Sequence, residues 1–311
     1  MQKDSKIYVA GHKGLLGSAI VRELKIQGYT NIILRSRSEL DLMDLKKVKD
    51  FFLQERPEYI FDCAAKVGGI QANYTKPAEF FYENIQIQNN LIHSSYLADA
   101  KKFLFAGSVC VYPKYAKTPI KEESFLDGLL EPTNEAYSVA KIAGIKMCQA
   151  YSKQYDLKTI SVMLPNLFGP NDNFDPNSSH VIPSMFTKFS KAESEITFWG
   201  DGSNRREFLY SQDSANACIF LMNSDVENGE LINIGAGNDI SIKDLAEIIA
   251  NIFKFTGKIN WDTSKPKGAP IRSIDCSKII MLGWKPKYNL INALQKTYEW
   301  YNRELKYRVD N

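Results

Sequence analysis

The sequence predicts an α/β fold, a Rossmann-type doubly wound parallel sheet with a smaller C-terminal α/β region. Three observations carry that expectation. Short β-branched runs alternate with amphipathic stretches through the first half of the chain. A glycine-spaced turn follows the first run at once. Near residue 166 the texture changes to a stretch rich in Pro, Asn, Asp and Ser.

In order along the chain, Ile7–Ala10, Ile32–Leu34, Tyr59–Phe61, Phe103–Phe105 and Thr159–Leu164 read as strands. Between them Leu16–Gln27, Leu45–Glu55, Ala78–Ala100 and Ala136–Tyr155 read as helices. In Ala78–Ala100 the apolar positions 80, 81, 85, 91 and 92 follow a helical face only in part. Phe168 to Ser179 reads as one long loop, of a length that is usually functional or disordered. Ile182–Ala192 and Ile242–Phe255 read as helices, and a strand Leu231–Ile234 is expected to return to the main sheet. Residues 1–166, completed by that strand, are the expected cofactor domain, and 167–311 mainly the substrate domain.

Composition narrows the function. The 311 residues are 44% apolar and 24% charged, which excludes intrinsic disorder. Thirty-nine basic against thirty-six acidic residues leave +3, too dispersed for nucleic acid but compatible with a small anion held locally. No apolar run approaches the roughly eighteen residues of a membrane span. The polar start Met1–Lys6 enters a strand directly, so a cytoplasmic protein is expected. Cys63, Cys110, Cys148, Cys218 and Cys276 are odd in number and form no C-x-x-C, and His12, His93 and His180 are few. Both facts fit a reducing compartment and argue against a metal site.

The first strand runs into Gly11-His12-Lys13-Gly14-Leu15-Leu16-Gly17 and then a helix. Such glycines serve a tight turn, close approach to a pyrophosphate and helix–strand packing, with the helix N-terminus facing the anion. The three-and-three spacing points to short-chain dehydrogenase-like proteins. Arg35 and Arg37 lie eighteen and twenty residues beyond Gly17, where an NAD-binder usually carries an acid. With Lys13 in the turn and the first acid, Glu39, coming late, NADP is expected over NAD.

Tyr137 and Lys141 are four residues apart on a predicted helix and share a face. A neighbouring ammonium is expected to lower the phenol pKa and suit it to proton transfer. Ser108, at the end of an upstream strand, can polarise a carbonyl. This is reductase machinery. Alternation sets Cys110 on the side of Ser108 if the strand continues that far. His180 ends the long loop and can reach over a cleft. A thiolate and an imidazolium could together move protons on carbons flanking a ketone.

At these residues the chain resembles the extended short-chain dehydrogenase/reductases that act on nucleotide sugars, and more closely the GDP-L-fucose synthases. The matching stretches are 11–20, 64–70, 107–114, 130–135, 137–144, 177–183, 199–208 and 282–284, nearly the whole chain. The resemblance implies epimerisation at C3 and C5 and NADPH-dependent reduction at C4 of a GDP-4-keto-6-deoxy sugar. Tyr137 would be the proton donor, Lys141 its partner and Ser108 the carbonyl-side hydroxyl. Cys110 and His180 would be the epimerisation base and acid. Cofactor contacts would come from residues 11–17, Arg35, Arg37, Asp41, Ala64, Ala65, Lys66, Gly107, Tyr137, Lys141, Pro165, Asn166, Leu167 and His180. Substrate contacts would come from Val109, Asn166, Lys188, Trp199, Arg206 and Lys267.

Departures from the family pattern fall at Val109, Asp175, Lys267 and Ile271-Arg272, on sugar and nucleotide contacts. They leave open a C4 reductase of a GDP-4-keto-heptose or other 4-keto sugar, epimerised by another enzyme. A homodimer is expected through a bundle of helices 78–100 and 136–155.

Overall fold

The computed structural model describes residues 1–175, 178–264 and 270–306. The expected alternation appears as β1 (Ile7–Ala10), α1 (Leu15–Ile26), β2 (Ile32–Ile33), α2 (Leu45–Glu55) and β3 (Tyr59–Asp62). Next come α3 (Ile70–Thr75), α4 (Pro77–Leu97), β4 (Lys102–Ala106), α5 (Glu135–Tyr155), β5 (Thr159–Met163) and β6 (Asn166–Phe168). After them follow α6 (Val181–Lys191), β7 (Glu195–Trp199), β8 (Arg205–Tyr210), α7 (Ser211–Asn223) and β9 (Glu230–Asn233). The chain closes with β10 (Asp239–Ser241), α8 (Ile242–Phe253), β11 (Lys258–Asp262), β12 (Ile271–Arg272), α9 (Ser277–Met281) and α10 (Leu290–Tyr301).

The main sheet has the order β2-β1-β3-β4-β5-β9, and every neighbouring pair is parallel. Helices flank both faces, so β1, β4 and β5 are buried along their whole length, as parallel strands require. The order reverses at β1, which leaves a crevice beyond the carboxyl ends of β1 and β3. That crevice is where the fold places a ligand. Local chemistry marks the element ends. Asp44 accepts the Lys47 amide at the start of α2, and Ser241 accepts that of Asp244 at the start of α8.

Some boundaries differ from the sequence expectation. The helix expected to reach Ala100 stops at Leu97, because Asp99 turns left-handed at φ +55°. Likewise α8 stops at Phe253, where Lys254 is left-handed and the Phe255 amide closes back on the Ala250 carbonyl. Asn166–Phe168, where no strand was expected and whose last residue opens the expected loop, is strand β6 paired in parallel with β8. Its partner lies some forty residues downstream, beyond the reach of any local pattern.

Two clusters of buried apolar side chains fill the molecule. The larger lies on the main sheet and includes Ile7, Phe61, Leu104, Val162 and Ile232. The smaller joins Phe168, Phe186, Phe198, Phe208, Leu245, Ile249 and Leu294. Full burial of each such side chain contributes about 1.5–3 kcal/mol of transfer free energy. No helix among the described residues is long and apolar enough to cross a membrane.

Candidate active site

The glycine turn is built as its spacing implies. Gly11 takes φ +73°, and a Cβ there would meet the Cys63 carbonyl at 2.8 Å. A Cβ on Gly17 would stand 2.2 Å from the Gly11 oxygen, so α1 packs on the turn only because it lacks one. Gly14 is the N-cap of α1, contributes no side-chain cap, and leaves the first-turn amides of Leu15, Leu16 and Gly17 without a side-chain acceptor. No acidic residue occupies that first turn. An anion fits there.

Beside the turn opens a cleft of about 440 Å³. It gathers Gly11, His12, Lys13, Gly14, Arg35, Arg37, Asp41, Ala64, Ala65 and Lys66, all expected at the cofactor. His12 Nδ1 is buried there without a partner, and burial lowers the imidazole pKa, so the ring is neutral. The cations differ in their freedom. Arg35 pairs with Glu55 at 2.9 Å and lies over Phe51, while Lys66 pairs with Glu79 and Glu83. Lys13 and Arg37 are exposed and have no carboxylate partner among the described residues. Glu39 turns into the chain and accepts from the Ser36 amide and hydroxyl, at 2.7 and 2.6 Å. The first acid after β2 is thus occupied, while Lys13 and Arg37 carry no ion pair among the described residues.

At the end of β4 the chain passes through Gly107, whose missing Cβ makes room for Met163. Ser108 then caps a single 3₁₀ turn, Val109–Val111, by accepting the Cys110 amide at 3.3 Å. This corrects the expected geometry: the turn, not strand alternation, carries Cys110. Val109, expected at the sugar, is 7% exposed and packs in the main core. The Cys110 sulfur accepts from Asn134 Nδ2 at 3.1 Å, and Ser138 holds the Asn134 carbonyl oxygen at 3.1 Å. Asn134 lies in the Glu-Pro-Thr-Asn-Glu block, but nothing in the sequence pointed its side chain at the thiol.

Helix α5, which carries Tyr137, packs against the same turn, and Cys110 and Ser108 both act on the phenol. Burial pushes the phenol pKa up, and the Cys110 sulfur adds to that rise. The expected lowering by Lys141 is not what the structure has. The Lys141 ammonium donates to the Ala106 carbonyl at 2.9 Å and sits over Phe105, with its charge acting on Asp62. Tyr137 is therefore a protonated acid at neutral pH.

Beyond the thiol stands Arg206 on β8, beside Arg272 in the paired position of β12. Burial and the second guanidinium lower the Arg206 pKa, and Cys110 and Glu131 partly offset this. The two half-buried guanidiniums bond backbone carbonyls, Arg206 that of Arg205 and Arg272 those of Tyr112 and Pro113, and concentrate positive charge there. Arg272 was noted in the sequence only as a displaced cation. Asn166 is tied to the Glu207 carbonyl at 3.1 Å, with Pro165 and Leu167 half-buried beside it. Lys188 donates to the Thr197 carbonyl at 2.9 Å and covers Phe198, and Trp199 is 60% exposed on the edge of the same strand. His180 caps α6 at the mouth of the long loop. Its ring opens to solvent although dense protein surrounds it, and that desolvation lowers its pKa. No hydrogen bond joins it to Cys110 among the described residues. Lys267 lies outside the described residues. No group of three or more His, Cys, Asp or Glu among the described residues is placed to hold a metal.

An open parallel sheet, a glycine turn at its switch point and a Ser–Tyr–Lys group at the end of β4 define an NAD(P)-dependent enzyme of the extended short-chain type. Residues 7–235 match the model of the NAD dependent epimerase/dehydratase family. A putative GDP-L-fucose synthase 2 of Arabidopsis thaliana is 52% identical over 306 residues, covering 97% of this chain and 93% of that protein. The chain belongs to the NAD-dependent epimerase/dehydratase family, in its GDP-L-fucose synthase branch. Two solved structures are also similar. A GDP-6-OMe-4-keto-L-xylo-heptose reductase from C. jejuni has TM-score 0.92 and 39% identity, with 98% and 99% of the two chains covered. A GDP-L-fucose synthetase from Naegleria fowleri bound to NADP has TM-score 0.91 and 29% identity, with 98% and 95% covered.

Proposed function

We propose that this enzyme uses NADPH to convert a GDP-4-keto-6-deoxy-mannose-type sugar by epimerisation at C3 and C5 and reduction at C4, giving GDP-L-fucose or a close analogue. The observation that carries this reading is the Cys110 thiol, held by Asn134 on a turn against which α5 and its Tyr137 pack, an epimerisation base near a reduction acid. The Gly11–Gly17 turn would hold the pyrophosphate, and Lys13 and Arg37 the 2′-phosphate. Bound NADPH supplies the hydride for C4.

The remaining steps belong to the chain's own residues. Cys110, as thiolate, removes a proton from a carbon beside the ketone, and His180, as imidazolium, returns one to the opposite face. Ser108 donates to the ketone oxygen and Tyr137 protonates it as C4 is reduced. Arg206 and Arg272 face the diphosphate, and Trp199 offers an aromatic surface to the base. Residues 1–166 with β9 form the cofactor unit and 167–311 mainly the sugar-nucleotide unit. Exposed Phe81, Tyr82 and Tyr155 on α4 and α5 support a homodimer through those helices, and the cytoplasm is the proposed location.

A second reading, C4 reduction alone, is favoured by the likeness to the heptose reductase. Nuclear magnetic resonance of GDP-4-keto-6-deoxy-mannose in deuterated water separates the two. Exchange at C3 and C5 followed by NADPH oxidation supports the bifunctional enzyme. Oxidation without exchange supports a dedicated reductase, and no reaction would turn the assay to 4-keto-heptose sugars.

A further inference from the structure

Asp62 ends β3 and is 1% exposed. One of its oxygens accepts the Ala64 amide at 3.2 Å, and the other is buried without a partner. Such an unsatisfied carboxylate needs a reason. Pairing of β3 with β4 sets Asp62 opposite Phe105. Lys141, 3% exposed, comes down from α5 onto the same residue, its Nζ 4.6 Å from the Phe105 ring centre and bonded to the next carbonyl, Ala106. A sequestered carboxyl and a sequestered ammonium thus meet at one level of the sheet, the ammonium over Phe105 and the carboxyl on the strand paired with it.

We propose that Asp62 is a positioning residue for Lys141, the buried counter-charge that holds its ammonium on the Ala106 carbonyl, at the strand end from which Ser108 reaches the ketone in the C4 reduction. This rests on the reductase reading above. Burial strips a lysine of its hydration and favours the neutral amine, and a nearby carboxylate offsets that loss. Burial lowers the Lys141 pKa, and Asp62 is the largest influence raising it. Burial also raises Asp62, to about 6, so the carboxyl is ionised above that pH. The other titratable groups around the pair are Tyr8 on β1, Cys63 after β3 and Cys148 on α5, with Cys218 of α7 beyond Cys63. Burial pushes all four up, so they stay neutral, and Arg35 acts on Tyr8 from the far side.

The experiment compares the full-length wild type with Asp62→Asn. NADPH oxidation is followed against pH on a ketone epimerised beforehand, with C3/C5 deuterium exchange measured in parallel. In the variant the basic limb of reduction should move down by about one pH unit or more, with exchange unchanged. Stability supplies an independent readout. The raised acid favours folding below its pKa, and that contribution is lost as pH rises through about 6. Asn carries no such titration, so the variant's Tm should not fall across pH 6 and should at least equal wild type at pH 8. Superimposable basic limbs would overturn the proposal, as would parallel loss of both activities with a lower Tm. Asp62→Ser is the second variant if the amide does not fold, with the same limb shift expected. A wild type that oxidises no NADPH would instead remove the reductase reading, and this inference with it.

Discussion

Asn134 donates its side-chain amide to the sulfur of Cys110 across 3.1 Å. In the proposed epimerisation that sulfur is the base, and the Asn134 hydrogen bond fixes its position. Hydrogen bonds to a charged group contribute about 1.5–3 kcal/mol. Asn134→Ala should therefore slow C3/C5 deuterium exchange by roughly 10- to 100-fold, while reduction of an already epimerised ketone keeps its rate. Equal losses in the two assays would mean that Asn134 supports the fold and not the thiol.

The proposed acid, His180, brings its own pH dependence. Desolvation holds His180 below the ordinary histidine pKa, and returning a proton requires the imidazolium. Exchange should thus weaken as pH rises through a value below about 6.5. His180→Asn should abolish that limb. A limb that survives the substitution would assign it to another group.

Cofactor choice should follow the unpaired cation. Arg37→Ala removes a guanidinium with no carboxylate partner among the described residues, so folding should be little changed. The KM for NADPH should rise by about tenfold or more, the worth of one charge-assisted hydrogen bond, and that for NADH should stay within a factor of about two. If both rise together, Arg37 serves a part common to the two dinucleotides.

Two glycines in the turn should separate stability from binding. Gly17→Ala forces a methyl to 2.2 Å from a backbone oxygen and should cost several degrees in Tm. At Gly14 the added carbon meets only the Gly11 oxygen, at 3.4 Å. Gly14→Ala should fold normally and bind NADPH less tightly, as read by nucleotide fluorescence titration. Matching losses of Tm in both variants would contradict this division.

Legibility in the sequence tracked the range of the interactions involved. Strand β1, the glycine turn and α1 were readable because their pattern closes within some twenty residues. β6 was not, since its hydrogen bonds go to β8 and nothing in Asn166–Phe168 announces that partner. At the candidate site the residue types Ser108, Cys110, Tyr137 and Lys141 were legible, and their contacts were not. Spacing set Lys141 on the face of Tyr137, yet the buried ammonium found the Ala106 carbonyl and the neighbourhood of Asp62. Asn134 and Asp62 went unnoticed because side-chain direction and burial arise only once distant segments pack.

The return of β9 to the edge of the main sheet governs how this chain must emerge from the ribosome. β5 exposes an unpaired edge until residues 230–233 are made, and the intervening stretch of more than sixty residues includes β8 with Arg206. A nascent chain ending near residue 166 therefore presents an incomplete, adhesive sheet and not a finished domain. The half before residue 166 cannot mature ahead of the half that follows it. Cutting the enzyme at the change of texture should yield a fragment that aggregates, and synthesis itself couples the two halves before either meets its ligand.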